Sequence, residues 1–149
     1  MNHEFERCFV KDLDSLAKEI ELCDEETLLW HVPPGVTNSI GNLGQHLIGN
    51  LNHFIGATIG NTGYVRNREA EFSERYFTKA ELISELAKTS EMIQEVLGSI
   101  TEEQLNKIYP YEPFGYSMTT NHMLAKLANH LGYHLGQINY LRRIISAGM

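Results

Sequence analysis

Basic residues are in short supply in this sequence: 12 Lys plus Arg stand against 19 Asp plus Glu, and the formal charge of -7 repels phosphate backbones and anionic membrane surfaces. Nucleic acid and membranes are therefore not expected partners. Cysteine is scarcer still. Cys8 and Cys23 are the whole complement, lack a Cys-x-x-Cys spacing and fall on the apolar rhythm of the first segment, so buried free thiols are expected rather than a disulfide or ligands. The N-terminus has neither the basic start nor the unbroken apolar run of a secretory signal, and nothing later approaches a membrane span. A cytoplasmic protein is the expectation. Strand-like alternation, internal repeats and low-complexity tracts are also missing. With 149 residues, 42% of them hydrophobic, the chain is long enough for one sizeable core and short for two, so residues 1–149 are read as a single domain.

Helical spacing is what remains. Phe5, Phe9, Leu13, Leu16, Ile20 and Cys23 recur at three and four residues and predict a first helix, ending near Asp24. Pro33 and Pro34 then remove amide donors and force an extended connection. Asn38 or Ser39 caps a second helix from about Ile40 to Ile59, with Ile40, Leu43, Leu47, Leu51, Phe54 and Thr58 on its core stripe. Gly49, Gly56 and Gly60 share one side of it, each costing about 1 kcal/mol relative to alanine, so a close neighbour or a cavity is expected there. Residues 61–77 read as a polar crossover. The capping box Thr78-Lys79-Ala80-Glu81 opens a third helix carrying Leu82, Leu86, Ile93, Leu97 and Ile100. Thr101-Glu102-Glu103-Gln104 starts a short helical turn, an aromatic loop runs from Tyr109 to Tyr116, and Met123 to Ile145 keep helical spacing in a fourth long helix. The fold class is all-α, a four-helix bundle whose long connections permit crossing over the bundle.

His130 and His134 lie four residues apart on the fourth helix, one turn above the other, so both imidazoles can face a single point. That is a metal half-site, and a transition metal needs at least a third ligand. His3, His31 and His122 are poorly placed, at a chain end, in a Pro-rich turn and two turns before His130. His46 and His53 are separated by about 10 Å along the second helix, so both do not reach one ion, and spacing slightly favours His53. Gln137 and Asn50, one turn beyond His134 and His46, are read as ordinary polar positions or as groups orienting a ligand. Arg66, Arg68 and Arg75 with Tyr64 and Tyr76 suit an anionic group, although a solvated crossover pairing with Glu69, Glu71 and Glu74 is the plainer reading.

A resemblance decides between His46 and His53. The run from Trp30 through Pro33, Pro34, Asn38, Ser39 and Ile40, with His46 seven residues after Ser39, resembles one signature of the DinB-like metal-binding four-helix proteins. His130-x-x-x-His134-x-Gly136-Gln137-Ile138, followed by Leu141-Arg142, resembles the other. The resemblance implies that His46, His130 and His134 hold a divalent metal, commonly zinc or nickel, in an up-down-down-up bundle that is often a homodimer. It also implies a reaction class, since some relatives are thiol S-transferases using bacillithiol, mycothiol or a similar low-molecular-weight thiol against a small-molecule electrophile.

The chemistry of the residues agrees with that choice and excludes others. Three neutral imidazoles suit zinc, nickel or iron and leave coordination positions open. Leu131, Gly132 and Tyr133 stand where a zinc peptidase helix carries its general-base Glu, and no Glu-x-x-His pair supports a di-iron centre. The rival expectations are metal-assisted hydrolysis by a bound water and a non-enzymatic metal-binding or stress-response role. Ile48, Ile55 and Ile59 lie off the main stripe of the second helix and are expected to offer a dimer face.

Overall fold

The computed structural model describes residues 3–148, and their regular structure consists of helices: α1 (His3–Glu21), α2 (Glu26–Leu29), α3 (Ile40–Leu51), α4 (Arg68–Ser73), α5 (Lys79–Gly98), α6 (Glu102–Asn106) and α7 (Thr120–Ser146). Among the described residues there is no strand, only an isolated bridge between Ile108 and Thr119. Each long helix after the first begins on a hydroxyl cap. Ser39 accepts the amide of Asn42, Thr119 accepts that of His122, and Thr78 and Thr101 form reciprocal boxes with Glu81 and Gln104. Such a cap contributes about 1 kcal/mol and fixes where the helix starts. The short helices α2 and α4 were not expected, because four and six residues are too few for a periodic signal.

Side-chain contacts set the helix directions. Lys79, at the start of α5, donates to the carbonyls of Glu21 and Cys23 at the end of α1, so these helices run antiparallel and the cation meets the negative end of the helix dipole. Asn139 and Arg142 near the end of α7 bind the Glu19 carboxylate near the end of α1, so α7 runs parallel to α1. Gly44 faces Leu82 and Asn52 donates to Thr89, so α3 runs parallel to α5. The result is the expected up-down-down-up bundle. Arg142 of the second signature is thereby explained as a latch between α1 and α7.

Burial accounts for most of the stability. Phe9, Leu13, Leu16 and Ile20 of α1 meet Leu47 and Leu51 of α3, Leu82 and Leu86 of α5, and Leu131 and Ile138 of α7, all almost completely buried. Each such side chain contributes roughly 1.5–3 kcal/mol, whereas an exposed pair such as Lys88–Glu85 contributes under about 1 kcal/mol. Cys23 joins this core, but Cys8 is exposed, because it falls beside Phe9 rather than on its stripe. Ile48 and Ile55 are also buried, and Ile59 is partly buried against the same core, so the series expected to receive a second copy is largely covered within the chain: α3 packs against α1, α5 and α7 at once and uses more than one stripe.

Beyond α3 the helix continues as a π-helical stretch over Asn52–Ala57, a wider turn that sequence spacing does not register. There the carbonyl of Phe54 accepts the hydroxyl of Tyr109 at 2.8 Å, which pins the aromatic loop against this end of the bundle. Gly60 follows from close packing, since a Cβ on it would lie 2.4 Å from Val96 of α5. No helix among the described residues is long and apolar enough to cross a membrane.

Candidate metal centre

His46 sits in the middle of α3, and His130 and His134 on the facing turn of α7. The antiparallel packing of these helices brings the Nε2 atoms of His46 and His130 to 3.2 Å and those of His130 and His134 to 3.1 Å. One donor atom from each of the three lies within 4.8 Å of the others. Tetrahedral zinc with bonds of about 2.0–2.1 Å would separate neighbouring nitrogens by about 3.3 Å, and octahedral geometry would bring them to about 2.9 Å. The two separations from His130 fall between these values.

The far side of each ring shows which nitrogen is free. His46 Nδ1 lies 3.0 Å from Glu71 Oε1, and two nitrogens of Arg66 each lie 2.9 Å from the same carboxylate. Burial pushes the Glu71 carboxyl up, but the hydrogen bonds from His46 and Arg66 outweigh it and hold the group below its ordinary value. An ionised carboxylate only accepts, so the His46 proton resides on Nδ1 and the lone pair on Nε2 points inward. His134 Nδ1 donates to Gln137 Oε1 at 2.7 Å, leaving its Nε2 lone pair inward as well. A single proton on His130 Nε2 satisfies only one of these two lone pairs. A cation satisfies all three, so the donor set fits a divalent ion.

His130 is pushed down to about 4 by burial and then by the neighbouring His134 and His46. Burial also lowers His134, against the opposing pull of Gln137. Imidazoles that resist protonation keep their lone pairs available, so divalent-ion uptake is expected to persist well below the ordinary imidazole value of 6.5. Zinc titrations at pH 5.5 and 7.5 should give similar stoichiometry, and loss of binding between those values would contradict the reading of His130.

The position of Glu71 depends on an embroidery of amides that the sequence does not announce. Gln45, adjacent to His46 and fully buried, donates to the carbonyls of Glu71 and Glu74 and accepts the amides of Tyr76 and Phe77. Asn42 donates to the same two carbonyls. These bonds tie the crossover to α3, and Gly49 leaves room for the carboxylate: a Cβ there would lie 1.8 Å from Glu71 Oε2. The solvated crossover expected from sequence is therefore corrected for Arg66 and Glu71, which form a buried ion pair beside the triad. Arg75 lies elsewhere, over the Trp30 ring.

The other histidines do not join the site. His53 donates to or accepts from the Tyr111 hydroxyl at 2.7 Å, on the turn beyond Asn50. His31 and His122 are exposed, and the side chain of His3 lies outside what the structure describes. Gln137 orients His134 as one of the two sequence alternatives held, whereas Asn50 makes no bond to His46. Glu71 was the residue missed as an orienting group. Its one local signal is Gly49, a small residue one turn after His46.

A cleft of about 950 Å³ opens on His46 and His130. Phe54, Phe114 and Leu127 give it apolar walls, and Arg68 and Lys126 stand among its polar residues. None of the described residues lining it is acidic. Phe114 brings the aromatic loop over the cleft as well as against the bundle end.

Residues 9–138 match the profile of the DinB superfamily. Among solved structures, a DinB-like protein from Bacillus cereus superposes with a TM-score of 0.71 at 18% identity, over 95% of this chain and 91% of the other. A conserved protein from Enterococcus faecalis gives the same TM-score at 19% identity, over 95% and 96% of the two chains. At these identities the likeness establishes the fold. No curated protein sequence matches significantly.

Proposed function

The chain belongs to the DinB superfamily, and from that membership and the site above we propose that it is a metal-dependent thiol S-transferase. His46, His130 and His134 hold a divalent ion, zinc or nickel, and a low-molecular-weight thiol of the bacillithiol or mycothiol kind attacks a small electrophile. The observation that carries this reading is the convergence of three Nε2 atoms on one point at the edge of an open cleft. A divalent ion held by three neutral donors retains its charge and lowers the pKa of a thiol at the site.

The chain's own contributions are positional. Glu71 and Gln137 hold two of the rings with their lone pairs inward. Phe54 and Phe114 give the open cleft apolar walls against which the apolar part of the electrophile packs. The thiol proton passes to solvent, since no carboxylate lines the cleft to receive it. Sulfur then forms a bond to the electrophilic carbon, and the leaving group departs with its bonding pair.

A thiol-consumption screen with metal-loaded protein tests the proposal. Thiol is expected to be consumed together with an electrophile, and His46→Ala, His130→Ala and His134→Ala are each expected to abolish the reaction. Cleavage of a substrate without added thiol would replace transfer by hydrolysis. No consumption across the panel, with the three variants indistinguishable from wild type, would remove the assignment.

A further inference from the structure

The cleft beside the histidines has a charge pattern at odds with the rest of the chain. The protein carries a formal charge of -7, yet the charged side chains lining the cleft, apart from the histidines, are Arg66, Arg68 and Lys126, all cations. Arg66 is occupied by Glu71. Arg68 rests over the Phe72 ring at 5.3 Å, and that ring packs on His46 at 4.6 Å, so its guanidinium is carried at the edge of the triad. Lys126 lies 4.6 Å from the centre of the Phe114 ring, on the aromatic loop. Both cations rest on aromatic faces rather than on carboxylates.

Asn50 also lines the cleft. The remaining walls, Phe54, Phe114 and Leu127, are apolar.

We propose that the cleft binds a small amphipathic carboxylate, with its anionic group between Arg68 and Lys126 and its apolar or aryl body against Phe54 and Phe114. A carboxylate suits the planar guanidinium fork of Arg68, and its single charge is met by that group together with Lys126. The assignment gives one reactant of the transferase reading a chemical class, and it rests on that reading for the term substrate alone.

The test uses metal-free protein and no thiol, so that coordination of the carboxylate to an ion does not contribute. Titration with 3-phenylpropanoate, followed by nuclear magnetic resonance, is expected to give saturable binding. Its neutral isostere 3-phenylpropanamide should bind at least tenfold more weakly, and phenyl phosphate no more tightly than the carboxylate. In Arg68→Gln/Lys126→Gln, whose side chains lie outside the core, the preference for acid over amide should vanish. Absence of binding, equal binding of acid and amide, tighter binding of phenyl phosphate, or an undiminished preference in the double variant would each overturn the proposal. Because neither metal nor thiol is present, a failed thiol screen alongside carboxylate binding would leave the ligand class standing and remove only the reaction.

Discussion

Replacing His130 by alanine is expected to weaken divalent-ion binding by more than about a hundredfold while leaving the helical fold intact. Outer partners of a metal ligand typically account for 10–100-fold in affinity, and a direct ligand exceeds that. His130 is the central member of the triad, since its Nε2 lies 3.1 Å from that of His134 and 3.2 Å from that of His46. Its loss leaves two donors with no neighbour between them. Its Nδ1 makes no hydrogen bond that the fold would miss. His53→Ala is the matched control, because His53 is bonded to Tyr111 and not to the triad. Competition against a chromophoric chelator gives the affinity, circular dichroism reports the fold, and elemental analysis of protein purified without an affinity tag identifies the ion. Equal metal content in wild type and His130→Ala would remove the three-histidine site.

The second large effect is expected at Glu71, a residue with no contact to the ion's position. Its carboxylate is 1% exposed and joins Arg66 to His46, so Glu71→Ala leaves a guanidinium and an imidazole N–H without their acceptor. Breaking a buried pair in this way costs about 3–5 kcal/mol, and Arg66, at the edge of an exposed connection, can turn toward water, which places the expected loss at the lower end. Metal affinity should fall by about 10–100-fold through the released His46 ring. Gly49→Ala offers an independent route to the same result. In an ordinary helix interior it gains about 1 kcal/mol, but here the new Cβ would meet Glu71 Oε2 at 1.8 Å and displace the carboxylate. The two substitutions should therefore be strongly non-additive, with Gly49→Ala harmful in wild type and neutral or stabilising in the Glu71→Ala background. Urea unfolding of the four proteins measures this, and simple additivity would show that Glu71 is not held where the structure places it.

Much of this architecture is legible in the chain because it arises locally. Ser39, Thr78, Thr101 and Thr119 cap helices within three residues of themselves, and the stripes of α1, α5 and α7 follow from the helical repeat. The half-site of His130 and His134 is legible for the same reason, as a spacing of one turn. Cys8 shows where such reading slips, since one position of rotation separates the exposed thiol from buried Phe9. Ile48 and Ile55 show another limit: periodicity reveals an apolar face but not how many neighbours will cover it.

Helix starts, core stripes and the paired imidazoles of α7 are thus settled by residues close together in the chain, where spacing and dihedral preference act directly. The meeting of His46 with His130 spans 84 residues and depends on α3 running antiparallel to α7, a choice made by packing among all four long helices. Glu71 belongs to the same class. It lies on a short helix without a periodic signal and reaches His46 only because Gln45 and Asn42 tie the crossover to α3 and Gly49 leaves it space. Contacts between distant segments depend on loop closure and on the burial of whole helical faces, and those are properties of the folded molecule as a whole.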